Sequence, residues 1–121
     1  MKNGKYVINF FEEWYKDGVL HREDGPALIY PDGTEVWYKY GKIHRDGGPA
    51  KIEDDGTEYW YKNGKLHRED GPALMTLMGF QQWYINGRLH REGGPAVTYP
   101  DGHTAWFKHD RTHREDGPAR I

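Results

Sequence analysis

The sequence predicts an all-β protein: an elongated array of antiparallel β-hairpins that forms a single twisted, solenoid-like sheet. A Trp followed by Tyr or Phe recurs every 23 residues, at Trp14, Trp37, Trp60, Trp83 and Trp106. A constant period of this length is typical of repeat proteins, whose units bury their apolar faces against one another. Asp-Gly and Asn-Gly dipeptides, which favour hairpin turns, lie between short β-prone runs. Gly or Pro interrupts every stretch long enough for a helix.

The N-terminal segment, residues 1–13, is predicted to be a capping strand. Residues 6–11 are β-prone and follow a turn dipeptide at Asn3 and Gly4. The end of a repeat array lacks a neighbour, so Phe10 and Phe11 are expected to cover it. The alternative is that these two phenylalanines form a docking motif. Residues 14–121 then make up five 23-residue repeats, of which the last is truncated.

The first turn of each repeat is expected to set the strand register. In the second unit, a two-residue turn at Asp32 and Gly33 predicts the pairs Tyr30–Glu35, Ile29–Val36, Leu28–Trp37 and Ala27–Tyr38. Leu28 and Trp37 would then share one face of the sheet. A second turn, at Asn63 and Gly64 in the third unit, is predicted to bring Leu66 beside Tyr61 and His67 beside Trp60. The prediction is a meander with two strands per repeat, in which the Trp strand is flanked on both sides.

Each unit also carries an aromatic residue, then Gly three positions on, then His three further. The matching triplets are Tyr15-Gly18-His21, Tyr38-Gly41-His44, Tyr61-Gly64-His67 and Tyr84-Gly87-His90, and the last unit has Phe107 and His113 but Asp110 for Gly. This spacing resembles MORN repeats, and the resemblance covers residues 14–121. The chain departs from the family after the His, reading His-Arg-x-Asp/Gly-Gly-Pro-Ala for His-Gly-x-Gly, which is closer to a divergent bacterial and phage branch.

The resemblance implies an antiparallel hairpin sheet that acts as a non-enzymatic interaction module. Some MORN arrays are linked to phosphoinositide or membrane contact, and others to antitoxin-like roles. The expectation for this chain is therefore a protein-binding module, of the inhibitor or immunity type, that blocks a target by occupying its surface. Peripheral membrane contact remains open as an alternative.

Whole-chain totals exclude several classes of protein. The chain has 121 residues, which suit one domain, and no Cys, which excludes a disulfide scaffold and thiolate zinc sites. Seventeen basic against nineteen acidic residues, mixed along the sequence, argue against a nucleic-acid partner. No apolar run reaches the length of a membrane span, and residues 1–13 do not resemble a signal peptide. A cytoplasmic location is therefore expected.

A His-Arg pair recurs in every repeat, at His21-Arg22, His44-Arg45, His67-Arg68, His90-Arg91 and His113-Arg114. Equivalent residues two strands apart are separated by about 9.5 Å, too far for two imidazoles to share one zinc ion. The pairs are therefore predicted to be structural, with His beside Trp and Arg beside the acidic residue that follows. Neither a metal nor a cofactor is expected.

One repeat departs from the common pattern at its first turn. Where other units have Pro-Asp-Gly-Thr or Asp-Asp-Gly-Thr, the fourth has Leu-Met-Gly-Phe. Because hairpin tips normally face water, Met75, Leu77, Met78 and Phe80 are predicted to form an exposed patch that binds a protein partner. The alternatives are a homodimer contact and internal packing of the tip.

Two further functions remain open from the sequence. The Trp and Tyr residues could line a groove for a phosphorylated or quaternary-ammonium ligand, although their spacing favours packing in the core. His103 and His109 could join His113 in a hydrolase or metal site. No nucleophile with an adjacent base can be singled out, so no catalytic residue is predicted.

Overall fold

The computed structural model describes residues 1–112, and these residues form an all-β array without a helix. Its strands in chain order are β1 (Gly4–Ile8), β2 (Phe11–Lys16), β3 (Val19–Leu20), β4 (Leu28–Ile29), β5 (Glu35–Val36), β6 (Tyr38–Lys39), β7 (Lys42–Ile43), β8 (Lys51–Ile52), β9 (Glu58–Tyr59), β10 (Tyr61–Lys62), β11 (Lys65–Leu66), β12 (Leu74–Met75), β13 (Gln81–Gln82), β14 (Tyr84–Ile85), β15 (Arg88–Leu89), β16 (Val97–Thr98), β17 (Thr104–Ala105), β18 (Phe107–Lys108) and β19 (Arg111–Thr112). The predicted fold class, an array of antiparallel hairpins, is confirmed.

The main sheet runs the length of the array and is called the first row here. Its strands follow in the order β1-β2-β4-β5-β8-β9-β12-β13-β16-β17, each antiparallel to the next. Repeats are counted from the hairpins of this sheet, so that β1–β3 belong to the first, β4–β7 to the second, β8–β11 to the third, β12–β15 to the fourth and β16–β19 to the fifth. Every repeat contributes one hairpin to the sheet, and hairpins from consecutive repeats pair with each other. Stacking of neighbouring units, which the 23-residue period predicts, is thus achieved by strand pairing.

A second row of hairpins runs beside the first. It consists of β6-β7, β10-β11, β14-β15 and β18-β19, together with β3 paired to the end of β2. Adjacent hairpins are joined by backbone hydrogen bonds: the Arg45 N–H donates to the Tyr61 carbonyl at 3.3 Å and the Gly64 N–H to the Ile43 carbonyl at 2.8 Å. Each repeat from the second onwards therefore has four short strands in two rows. The prediction of two strands per repeat was wrong.

The tryptophan marks the point where the chain passes from one row to the other. The Trp37 N–H donates to the carbonyl of Ala50 in the next repeat at 2.6 Å, and its carbonyl accepts from the His44 N–H at 3.0 Å. The Trp37 N–H and carbonyl thus bond to two different segments, Ala50 of the next repeat and His44 of the same repeat. The extended run over residues 34–39 is therefore divided at Trp37 into a strand of the first row and a strand of the second.

The first turn has three residues, so the predicted register was wrong by one position. Leu28 pairs with Val36 and Ile29 with Glu35, so Trp37 does not face Leu28. The Gly33 N–H donates to the Tyr30 carbonyl at 3.0 Å, and Gly33 has φ +95°. This is a type I turn followed by a left-handed residue, a common three-residue hairpin loop. Proline at position 31 favours it, because type I turns prefer Pro at their second position.

The second turn confirms the sequence prediction. Tyr61 pairs with Leu66, and the His67 N–H donates to the Trp60 carbonyl at 2.9 Å. Asn63 and Gly64 both have positive φ, +50° and +82°, as a two-residue type I′ turn requires.

An arginine stacked on a tryptophan accounts for the glycine that recurs before the Pro-Ala of each unit. The Arg68 guanidinium lies 3.8 Å from the centre of the Trp60 ring and donates to the Pro72 carbonyl at 3.3 Å. A Cβ atom on Gly71 would lie 2.6 Å from the Arg68 Cζ. The same stacking occurs in the other complete repeats, with Arg22 on Trp14, Arg45 on Trp37 and Arg91 on Trp83. The alanine that follows is fully buried each time, at Ala27, Ala50, Ala73 and Ala96.

The histidine of each pair links its repeat to the next one. In the first unit, the His21 Nδ1 accepts from the Tyr40 N–H at 2.9 Å, and Nε2 lies 2.7 Å from a Glu23 carboxylate oxygen. A backbone N–H can only donate, so Nδ1 must be unprotonated and Nε2 must carry the proton. Equivalent bonds run from Asn63 to His44, Asn86 to His67 and His109 to His90.

These contacts revise the predicted roles of the His-Arg pairs. The arginine stacks on Trp, and the histidine ring meets the carboxylate that was assigned to the arginine, although Arg22 and Arg68 also contact Asp24 and Asp70. The structural interpretation holds for the four described pairs. His113 and Arg114 lie outside the described residues.

The N-terminal segment forms the outermost strand of the first row. Of the two phenylalanines predicted to cover the end of the array, only Phe11 packs against it. Phe11 packs against Tyr30, with ring centroids 5.2 Å apart. Phe10 is 84% exposed, so the expectation that it covers the end of the array was wrong. Asn9 and Phe10 occupy a two-residue turn with φ +51° and +69°, which directs the Phe10 side chain away from the sheet.

The close approach of glycine to the stacked arginine yields a stability prediction. Gly71→Ala should lower the free energy of unfolding by about 1–2 kcal/mol, because the new methyl displaces Arg68 from Trp60. Urea denaturation measures the change. In an Arg68→Ala background the same substitution should cost far less, and equal costs in both backgrounds would contradict the steric explanation.

The turn at Phe10 yields a second prediction. Phe10→Gly should stabilise the fold by about 1 kcal/mol, because glycine adopts positive φ without the strain that Phe10 carries. Phe10→Ala removes the same exposed ring but keeps the strain, and should not stabilise. Thermal unfolding of both variants separates relief of strain from loss of the ring; equal melting temperatures would refute the prediction.

Candidate functional site

The two rows give the array two long edges. The first edge consists of the three-residue loops of the first row, within residues 30–34, 53–57, 76–80 and 99–103. The second edge consists of the hairpin ends of the second row, at residues 16–19, 39–42, 62–65, 85–88 and 108–111. Residues 34–39 run from one edge to the other, so an extended chain would separate them by about 20 Å.

The loop of the fourth repeat presents two apolar side chains on the first edge. Leu77 is 83% exposed and Met78 is 80% exposed. The backbone of this loop matches the others: the Gly79 N–H donates to the Thr76 carbonyl at 3.1 Å, and Gly79 has φ +96°. The sequence changes in this repeat therefore alter the exposed surface and leave the turn unchanged.

A hydrogen bond that the other loops obtain from aspartate is supplied differently here. In the second repeat an Asp32 carboxylate oxygen accepts from the Thr34 N–H at 2.9 Å, and this bond lowers the pKa of Asp32. Met78 replaces that aspartate and has no oxygen acceptor. The Phe80 N–H donates instead to the Thr76 hydroxyl at 3.2 Å. The loop thus keeps a satisfied amide while exposing Met78.

The other two predicted patch residues are less exposed. Met75 lies in β12, between Glu58 and Gln81, and is half-buried. Phe80 is also half-buried and lies against Tyr99, with ring centroids 5.6 Å apart. The structure therefore places Leu77 and Met78 at the tip and Met75 and Phe80 at its base.

Charge is segregated between the two edges, a feature that the sequence analysis missed. The first-edge loops contain Asp32, Glu53, Asp54, Asp55 and Asp101 and no Lys or Arg. On the second edge, the hairpin ends of the middle three repeats carry Lys39, Lys42, Lys62, Lys65 and Arg88, all exposed, whereas the two outer hairpin ends also carry the acidic residues Asp17 and Asp110. Along the chain these groups alternate, so the charges looked mixed; the fold collects them on opposite sides.

Aromatic residues line a groove in the second row, beside the third repeat. It has a volume of about 350 Å³ and is bordered by Arg45, Trp60, Tyr61 and Arg68 among others. One face of the Trp60 ring is already covered by the guanidinium of Arg68. A quaternary ammonium ligand would need such a face, so this arrangement does not favour the cation-binding alternative.

The histidines proposed for a hydrolase or metal site are not brought together. His103 lies on the first edge, where its Nδ1 is 2.8 Å from an Asp101 carboxylate oxygen. His109 lies on the second edge and packs against His90, with ring centroids 4.3 Å apart and the rings tilted by 41°. His113 falls outside the described residues. Within residues 1–112, no group of three His, Cys, Asp or Glu side chains could hold a metal ion.

Comparison with known proteins assigns no family. No family model matches the chain, and no curated protein sequence matches it. Nor does the described part of the chain contain a helix long and apolar enough to cross a membrane. The geometry of the two edges therefore carries the functional proposal.

A tyrosine beside the acidic loop of the third repeat yields a pH prediction. Burial, with a 2.8 Å hydrogen bond from the Tyr59 hydroxyl to Glu53, raises the pKa of Tyr59 to about 12. Unfolded tyrosine titrates near 10, so the contribution to stability is complete below pH 10 and is lost as pH rises through 12.

Absorbance titration should show one tyrosine ionising near that value, and Tyr59→Phe should remove it. Denaturation at increasing alkaline pH should then show a smaller loss of stability in Tyr59→Phe than in the wild type. The same loss in both proteins would contradict this assignment.

Proposed function

We propose that this chain is a non-enzymatic, protein-binding module of the divergent MORN-like type, which contacts its partner through the tip formed by Leu77 and Met78. The observation that carries the proposal is the exposure of these two side chains on a loop whose backbone matches its polar neighbours. The turn itself does not require them, since Pro31 and Asp32 make the same turn in the second repeat.

The chemistry of the tip suits contact with another protein. Large apolar side chains at a hairpin tip remain in water unless a partner covers them. Met78 is flexible and polarisable, and can therefore adapt to a partner's surface. Leu77 also lies against Gly56 of the adjacent loop, where a Cβ atom would be 3.0 Å from the Leu77 Cδ1.

A module of this kind acts by occupying a surface. Its expected activity is that of an inhibitor or immunity-type protein of bacterial or phage origin, which covers a target and performs no reaction. A cytoplasmic location is part of this proposal. The repeats supply a scaffold in which one loop can change while the Arg–Trp and His contacts stay the same.

The test converts the unusual tip into the common one. Leu77→Pro with Met78→Asp restores the Pro-Asp-Gly sequence found at residues 31–33. The fold should be retained, because the introduced aspartate can accept from the Phe80 N–H as Asp32 does from the Thr34 N–H. Binding should fall by at least about tenfold, the effect of losing roughly 1.4 kcal/mol of contact.

The measurement is the amount of protein that the tagged chain captures, first from host lysate and then, in a separate experiment, from a solution of the purified untagged chain. The matched control is Pro31→Asp, which changes the corresponding loop position of the second repeat to the residue that the third repeat carries at Asp54, and should leave capture intact. Equal capture by the wild type and the tip variant, or no capture of either prey by the wild type, would refute the proposal.

A further inference from the structure

We infer that the partner of this tip is a second copy of the chain, whose basic second edge lies along the acidic first edge, repeat against repeat. The inference rests on the proposed function, since the same tip makes the contact. It also rests on charge and on the pattern of apolar residues along both edges.

The five cations on the middle three hairpins of the second edge make no ion pair within the described chain. Lys42, Lys65 and Arg88 make no ion pair with any residue of 1–112. Lys62 lies directly opposite Lys65 in the β10-β11 hairpin, and Lys39 opposite Lys42. Like charges placed opposite each other are unfavourable, so these pairs disfavour the isolated hairpin and would be relieved by an acidic surface.

Nearby carboxylates offset only part of the charge of this edge: Glu69 borders the same groove as Lys42, Lys62 and Lys65 but forms no ion pair with them. The acidic residue after each His-Arg pair lies at the imidazole of its own repeat, as Glu23 does at His21 and Asp46 at His44. Glu92 is different, because it also contacts Lys108 at 3.4 Å. The five cations on the middle three hairpins are thus available to a partner.

The acidic edge of the same chain matches these cations in spacing. Both edges repeat once per unit, and two strands of about 4.8 Å each set that repeat near 9.5 Å. Two copies placed with their repeats in the same order keep this match along their whole length. The third repeat carries the most acidic loop, Glu53, Asp54 and Asp55, and contributes Lys62 and Lys65 to the other edge.

The fourth repeat supplies the most specific match. Its first-edge loop has no acidic residue and presents Leu77 and Met78. On its second edge, Ile85 replaces Lys62 of the preceding repeat, while Arg88 keeps a cation in the position of Lys65. Ile85 is half-buried beside Trp83, in a groove of about 290 Å³. With repeats in register, Leu77 and Met78 of one copy lie beside Ile85 and the aliphatic stem of Arg88 of the other.

Two copies can stack face to face and be related by a two-fold axis that runs parallel to the array. This symmetry places both acidic edges beside basic edges at the same time. Rotation about this axis exchanges left and right while keeping the repeats in the same order, so each acidic edge meets a basic edge. The result is a closed dimer, since the same contact occurs twice. The reverse order of repeats would pair the fourth repeat with a charged one.

Sedimentation tests this dimer through its salt dependence and a charge exchange. The wild-type chain should be dimeric at about 0.05 M salt and should dissociate towards monomer at about 0.5 M salt, where exposed charges are screened. Lys62→Glu with Lys65→Glu makes the third-repeat hairpin end of the second edge acidic, and Glu53→Lys with Asp54→Lys gives the third-repeat loop of the first edge a net positive charge. Each variant alone should be monomeric, with at least about a tenfold weaker association.

Mixing the two variants should restore a dimer, because the reversed hairpin of one then meets the reversed loop of the other at one contact, and the unchanged acidic and basic edges meet at the second contact. This rescue also shows that each variant is folded. A wild-type chain that stays monomeric at low salt, or a dimer indifferent to both pairs of changes, would overturn the inference.

Failure here is distinguishable from failure of the proposed function. If the chain is monomeric but captures a lysate protein that the Leu77→Pro and Met78→Asp variant does not capture, the tip binds another partner. If the wild type is monomeric and binds a polyanion such as heparin, and the Lys62→Glu and Lys65→Glu variant does not, the second edge is a polyanion-binding site. Both outcomes reject the dimer.

Discussion

The stacking of an arginine on the tryptophan of its own repeat is the interaction on which the rest of this structure depends. Arg68 covers Trp60, reaches the Pro72 carbonyl and requires that Gly71 have no side chain. The chain can then place Ala73 in a fully buried position between strands. Within residues 1–112 no large side chain is fully buried, and the arginine and histidine contacts recur around this narrow centre from repeat to repeat.

These recurring contacts were predicted from the sequence where the signal was local. The 23-residue period fixed the order of pairing, and the Asn63-Gly64 turn fixed its hairpin, since type I′ turns tolerate few other residues. Asp32 and Gly33 were misread because Asp-Gly fits both two- and three-residue loops, and Pro31 was the residue that decided between them. The two rows could not be predicted, because the extended run is divided at Trp37 by two backbone hydrogen bonds, one to Ala50 of the next repeat and one to His44 of the same repeat.

The candidate site was predicted only in part, for a related reason. A departure from the repeat located Leu77 and Met78, because a change that the common fold does not require stands out in a periodic sequence. Exposure of Met75 and Phe80 depends on strand pairing and on the contact with Tyr99, which the sequence alone did not provide. Segregation of charge was invisible for another reason: acidic and basic residues that are near neighbours in the chain lie on opposite edges.

The bond from each histidine to the next repeat affects how the protein can change in length. His44 reaches Asn63 in the same way that His67 reaches Asn86, so these junctions are chemically equivalent. Duplication or loss of an internal 23-residue block would leave no mismatched junction and would alter the array by about 9.5 Å. Duplication or deletion of whole repeats in the gene would therefore change the length of the array in equal steps and leave the contacts between repeats unchanged.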